Sequence, residues 1–147
     1  MKSEAHAYSI DDLKADKTTD WTGVRNYQAR NFMRDSMQVG DKILLYHSSS
    51  DPTGVYGIAT VVSPSHADET QFDIRNSHYD PKATKEKPIW MCVTIGFVKK
   101  FAHPVSLAEI KFDSVLEGMP VRATGSRLSI QPVSKVHFDY ITETLAK

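Results

Sequence analysis

Residues 42–62 read KILLYHSSSDPTGVYGIATVV, and the way this stretch folds decides the architecture. Lys42 to His47 is a continuous apolar run closed by a polar residue at each end, the pattern of a strand buried on both faces. Ser48-Ser-Ser-Asp-Pro-Thr-Gly54 is dense in turn formers and predicts a loop. Val55 to Val62 returns to β-branched residues and predicts a second strand.

Outward from this hairpin, Trp90 to Phe97 alternates: Met91, Val93, Ile95 and Phe97 point one way, Trp90 and Cys92 the other. That predicts a third strand, and RLSIQPV (Arg127 to Val133), ended by Pro132, predicts a last one. Ser9-Ile-Asp-Asp12 and Ser106-Leu-Ala-Glu109 are capping-box openings of short helices. Asn26 to Met37 reads as a helix with Ala29, Phe32, Met33 and Met37 on one apolar face. Ser134 caps a C-terminal helix whose Val136, Ile141 and Leu145 are expected to face the core. Strands and short helices without a βαβ rhythm predict an α+β fold: a small antiparallel sheet curled into a barrel, flanked by short helices, in one domain spanning residues 1–147. The polar segment from Ser63 to Pro88 is longer than compact domains carry without a reason, and binding is the usual one.

Eighteen Lys and Arg balance eighteen Asp and Glu, so the chain has no global basic field to hold nucleic acid non-specifically. Any such role needs a local patch, for which Arg30, Arg34, Lys99, Lys100, Arg122 and Arg127 are the candidates. The single cysteine, Cys92, excludes an intrachain disulfide and a multi-cysteine zinc site. Its place opposite the core-facing set marks a second packed face rather than a reactive thiol. No apolar run approaches the ~18 residues of a membrane span and no signal-peptide pattern opens the chain, so a soluble, cytoplasmic protein is expected. GxSxG, P-loop, HExxH and GxGxxG motifs are missing, and His66-Ala-Asp68 and His78-Tyr-Asp80 read as chance pairs in a polar loop. The expectation is therefore no catalytic residue, no metal and no cofactor.

Trp21 to Asn31, WTGVRNYQARN, is different: two aromatics, two arginines, two asparagines and a glutamine stand where a solvated helix would carry Lys and Glu. If the helix reaches back to Arg25, then Arg25 and Asn26 fall in the inward arc with Ala29 and Phe32. A buried guanidinium must be paired, with Glu4 or Asp20 as candidate partners, or must face a cavity whose occupant supplies the acceptors. Indole, amide and guanidinium groups around a pocket would stack on a planar heterocycle and read its edges.

WTGVRNYQARNFMRD, GDKILLYHSSS, HYDP, PIWMCV and RLSIQPV occur in the order in which EVE domains carry them, and the chain resembles that family, part of the PUA-like superfamily, over nearly its whole length. The resemblance implies a small barrel and a non-enzymatic reader of modified bases in DNA or RNA, modified cytosine such as 5-methylcytosine or 5-hydroxymethylcytosine in flipped-out form. It places the pocket on Lys2, Ser3 and Glu4, on Trp21, Val24, Arg25 and Asn26, on Arg30 and Tyr46-His47-Ser48, on Tyr79 and Asp80, and on Arg127 and Ser129. One departure stands out. The family opens with an apolar strand running into KSEP, whereas here Met1-Lys2-Ser3-Glu4-Ala5 leaves the first strand either shortened or cut at its start. The partner expected is nucleic acid with a modified base, bound by a monomer, a homo-oligomer remaining open. Two other classes compete. A hydrolase or glycosidase acting on a modified base would need Glu4 or Asp20 as its carboxylate, and a protein-interaction scaffold would need an exposed apolar patch.

Overall fold

The computed structural model describes residues 1–123 and 128–146. Its strands are β1 (Lys2–Glu4), β2 (Thr18–Asp20), β3 (Lys42–Ser48), β4 (Gly54–Val61), β5 (His66–Ala67), β6 (Met91–Cys92) and β7 (Thr94–Ser106), and its α-helices are α1 (Ile10–Asp16), α2 (Tyr27–Asp35), α3 (Leu107–Phe112) and α4 (Lys135–Tyr140). Five strands form one sheet in the order β1-β3-β4-β7-β2, while β5 and β6 pair apart from it. The parallel pair β1–β3 is the exception in an otherwise antiparallel arrangement. Register shifts at Leu45/Tyr46, Val55/Gly57 and Ile58/Ala59 bend the hairpin.

Four sequence expectations need correction. Among the described residues no pairing joins the edge strands β1 and β2, so the sheet stays open and the expected barrel closure is not seen. The strand expected over Trp90 to Phe97 is two strands that part at Val93, because β5 captures Met91 and Cys92 before β7 joins β4 and β2. Leu128 to Val133 forms no strand: it crosses the β1 edge, where the Lys2 amide donates to the Ser129 carbonyl at 2.8 Å. Arg127 lies outside the described residues. Val136, in the first turn of α4, is 69% exposed and does not face the core, whereas Ile141 is buried and Leu145 packs against the same cluster, as expected.

The apolar run of β3 follows from burial on both faces. Ile43 and Leu45 join Ile10 and Leu13 of α1, Ala29 and Met33 of α2, and Val93 and Ile95. Leu44 and Tyr46 join Val55, Phe101, Val105, Ile110 of α3, Leu116 and Ile141 on the other side. Both expected capping boxes form, Ser9 with Asp12 and Ser106 with Glu109, and Ser134 caps α4 through the His137 amide.

Candidate functional site

The two edges that fail to pair flank one cleft of about 390 Å³, within the ~300–1,000 Å³ common for small-molecule sites. Lys2, Ser3 and Glu4 of β1 line it on one side, Thr19 and Asp20 of β2 on the other, with Trp21 to Arg25 between and Ala7, Tyr8 and Ser129 at the margins. The Lys2–Glu4 wall is in place, because parallel pairing sets Lys2, Ser3 and Glu4 against Tyr46, His47 and Ser48.

Trp21 extends the β2 pairing by one residue, its amide donating to the Val93 carbonyl at 2.9 Å. The indole, 9% exposed, meets the Tyr8 ring edge-on at 6.2 Å. Burial and a bond to Asp16 push the Tyr8 hydroxyl up to about 12, so it stays a neutral donor. Gly23 then turns the chain with φ +85°, and a Cβ there would meet the His78 ring at 2.8 Å. On the β2 side Thr94 Oγ1 donates to Asp20 Oδ1 at 2.6 Å.

His47 is not part of the cleft wall but the strut behind it. Fully buried, it accepts from the Ile10 amide at Nε2 (3.1 Å), which leaves the proton on Nδ1, 3.2 Å from Ser3 Oγ. Ser3 Oγ in turn donates to the Tyr8 carbonyl at 2.7 Å. Burial lowers the His47 pKa, in keeping with a neutral ring. Tyr46 faces the opposite core cluster, with the Lys2 ammonium 5.7 Å from its ring centroid, and Ser48 Oγ reaches only the Ser3 carbonyl, at 3.5 Å.

Arg25 answers the question of the buried guanidinium. Its partner is neither Glu4 nor Asp20 but Asp68, 3.0 Å from Nη1. Nη1 also donates to the Val24 carbonyl, Nη2 to Thr70 Oγ1 and the His78 carbonyl, and Nε to the same His78 carbonyl. All five N–H groups are thereby engaged, and the head group of Arg25 ties the segment of residues 63–88 to the Trp21 turn. Asp68, fully buried, also accepts from the Gly23 amide at 2.8 Å and from the amide and hydroxyl of Thr70. Burial pushes its pKa up, but the bonds from Thr70, Gly23 and Arg25 together hold it below the ordinary carboxylate value.

The rest of the motif turns the same way. α2 begins at Tyr27, and Asn26 is its exposed N-cap, accepting from the Ala29 amide at 3.0 Å, so it does not point inward. Tyr27 stacks on Trp90 at 4.8 Å, and the Arg30 guanidinium lies 4.8 Å from the Tyr27 ring while donating to the Ile89 carbonyl. Trp90 Nε1 donates to Asp80 Oδ2 at 2.8 Å, a bond that lowers the Asp80 pKa. Tyr79 follows the His78 carbonyl that Arg25 holds, and is 36% exposed. Arg30 and Asp80 thus contact Trp90, Tyr79 belongs to the 63–88 segment, and none of these residues, nor Asn26, lines the cleft.

Sequence reasoning missed Asp68, Gln71 and Trp90 as the frame of that segment. Gln71, fully buried, donates to the Asp68 and Trp90 carbonyls and accepts from the Ile89 and Trp90 amides. The available signal was Asp68 two residues before Thr70, an Asx-type cap that opens the 3₁₀ turn Glu69–Phe72. Of the residues expected to form a basic face, Arg34 pairs with its neighbour Asp35, Lys100 with Asp11, Arg122 donates to backbone carbonyls near α3, and Arg127 lies outside the described residues. Cys92 is buried with its thiol pushed up to about 12 by burial and nearby carboxylates. Among the described residues no group of three or more His, Cys, Asp or Glu could hold a metal ion, and no helix is long and apolar enough to cross a membrane.

A family model described as EVE domain matches residues 1–144. Human thymocyte nuclear protein 1 is 40% identical over 144 residues, which cover 91% of this chain and 63% of the human protein. The chicken protein of the same name is 41% identical over 143 residues, 91% of this chain and 59% of that one, so the chain spans about three-fifths of the length of these curated relatives. A Pseudomonas syringae crystal structure matches with a TM-score of 0.94 at 41% identity, covering all of this chain and 97% of that one. The human THYN1 protein, solved in complex with 5-methylcytosine-containing DNA, matches with a TM-score of 0.90 at 38% identity over 100% of this chain and 95% of that one.

Proposed function

The chain belongs to the EVE domain family, and we propose that it is a non-enzymatic reader of modified cytosine, 5-methylcytosine or 5-hydroxymethylcytosine, in DNA or RNA, taking the base out of the stack into the cleft between β1 and β2. The observation that carries this reading is the cleft itself: an indole wall, two sheet edges with their polar groups, and a volume suited to a small planar ligand. The human THYN1 complex with 5-methylcytosine-containing DNA supports cytosine modification as the feature read. Arg25, with all five donors engaged, shapes the cleft and leaves direct contacts to Trp21, β1 and β2.

With no net charge there is no global basic field, so the base supplies most of the affinity on this reading. Stacking on an aromatic wall is worth ~1–3 kcal/mol per base, so Trp21→Ala should weaken binding to a 5-methylcytosine oligonucleotide by about ten-fold or more. Arg34→Ala, on the exposed face of α2, should affect modified and unmodified strands alike. Titration of folded variants, confirmed by thermal melting, against matched DNA and RNA oligonucleotides checks this. Equal losses in both variants, without preference for the modified base, would mean a general charge patch and no base pocket.

A further inference from the structure

The proposal above leaves open how the cleft tells cytosine from the other pyrimidines. Thymine carries the same C5 methyl group as 5-methylcytosine, so methyl recognition cannot separate them. The chemical difference lies at position 4, where cytosine presents an amino donor and thymine a carbonyl acceptor. A site that separates the two needs a fixed acceptor aimed into the cleft.

Asp20 is the acidic residue placed to supply one. It closes β2 at the edge that lacks a second strand, its Cα is paired with Thr94 of β7, and it is among the residues lining the cleft next to Trp21. Thr94 Oγ1 donates to Oδ1 at 2.6 Å and fixes the carboxylate plane. Oδ1 is also 3.8 Å from His66 Nε2, whereas Oδ2 accepts no hydrogen bond among the described residues. Of the other charged groups of the cleft, Arg25 uses all its donors and the Lys2 ammonium lies over the Tyr46 ring, while Glu4, whose Oε2 stands 3.1 Å from His6, is the second carboxylate, on the opposite wall. Ser3 Oγ is held between His47 and the Tyr8 carbonyl.

We infer that Asp20 is the residue that selects for cytosine, its Oδ2 accepting a hydrogen bond from the exocyclic amino group of the base held in the cleft. The inference rests on the modified-cytosine reading. Carboxylate acceptance from cytosine N4 is an established pairing in base recognition. Thymine would instead bring its O4 against the carboxylate, two acceptors facing each other in a partly desolvated site. Thr94 is then a positioning residue: it acts on the base only through the orientation it gives Asp20.

The test uses DNA duplexes with cytosine, 5-methylcytosine or thymine opposite an abasic position, so that no base pair has to be broken and the unpairing cost does not differ between them. The wild-type protein is expected to bind 5-methylcytosine most tightly. Asp20→Asn should weaken 5-methylcytosine about ten-fold and leave thymine unchanged or improved, because the amide can donate to O4. Thr94→Val, which keeps the charge but loses the clamp, should narrow the 5-methylcytosine-to-thymine ratio by less, and Glu4→Gln, at the carboxylate of the opposite wall, should shift the two affinities together. Thermal melting confirms that each variant is folded. If the wild type does not prefer 5-methylcytosine to cytosine, the proposed function itself falls. If it does, but the 5-methylcytosine-to-thymine ratio survives Asp20→Asn, or collapses in Glu4→Gln instead, the assignment of Asp20 is overturned and the reading of the cleft stands.

Discussion

Removing Asp68 should reveal the bond between the 63–88 segment and the Trp21 turn as a main support of the fold. The carboxylate is fully buried and accepts from the Gly23 amide at 2.8 Å, Arg25 Nη1 at 3.0 Å, the Thr70 amide at 2.9 Å and Thr70 Oγ1 at 2.5 Å. Breaking a buried pair by deleting one partner costs ~3–5 kcal/mol. Arg25 keeps 21% of its side chain exposed and retains its bonds to Val24, Thr70 and His78, so the lower end, about 3 kcal/mol, is expected for Asp68→Ala. Arg25→Met leaves Asp68 with the Gly23 and Thr70 donors and should cost about 2 kcal/mol. In a double-mutant cycle by urea denaturation the two should couple by ~1.5–2 kcal/mol. The folded pKa of Asp68 is lowered, so its contribution is present above the ordinary carboxylate value and is lost as pH falls through the folded one. The gap between wild type and Asp68→Ala should accordingly close in acid. A loss below about 1 kcal/mol at neutral pH, with coupling inside the ~0.5 kcal/mol expected of independent sites, would refute the argument.

Gly23→Ala should destabilise by ~2 kcal/mol or more, since it adds a Cβ 2.8 Å from the His78 ring to the strain of φ +85°, whereas Gly40→Ala, at φ +96° with open space around it, should cost only the backbone term of ~1 kcal/mol; melting temperatures of the two variants separate the contributions. His47 has a folded pKa below its unfolded value of ~6.5, so stability should be complete above that value and decline as pH drops through the folded pKa; a denaturation series from pH 8 to 5 should show a slope that His47→Gln flattens. Cys92, buried and with its thiol pushed up to about 12, should resist alkylation at about pH 8 in the native protein and react once urea unfolds it; fast native labelling followed by mass spectrometry would contradict the packing described.

How much of this was legible in the sequence depended on the range of the interaction. The two-sided burial of β3 is written in Ile43 to His47, because a strand without polar alternation is stable only where both its faces are covered. The caps at Ser9, Ser106 and Ser134 are local chemistry and form as read. The partner of Arg25 lies 43 residues away in a polar segment whose composition suggested a loose binding loop, and proximity in sequence wrongly favoured Glu4 and Asp20. The helical arc failed at Asn26 because an N-cap asparagine uses its side chain to end the helix, not to extend it. The open sheet was equally hidden. Whether two edge strands meet is set by the sum of bends along β3, β4 and β7, and no single residue records that sum.

The planar, multi-donor residues between Trp21 and Asn31 thus serve two purposes, divided at Gly23. Before it, Trp21 and Thr22 complete the β2 edge and face the cleft. After it, Arg25, Tyr27 and Arg30 turn toward Trp90 and the 63–88 segment, where ring stacking and carbonyl acceptors use up their donors. The second group makes the first rigid: Asp68 grips the Gly23 amide and Arg25 at once, so the turn that carries the indole is fixed from behind. Stacking energy is realised only if the aromatic wall is in place before the base arrives, since ordering it on binding would subtract from the affinity. On the proposed function, the charged residues of the motif would contribute to recognition through the position of Trp21 rather than through contact. Substitutions at Arg25 and Asp68 should lower affinity in step with stability, whereas those at Asp20 should change which base is preferred while the fold persists.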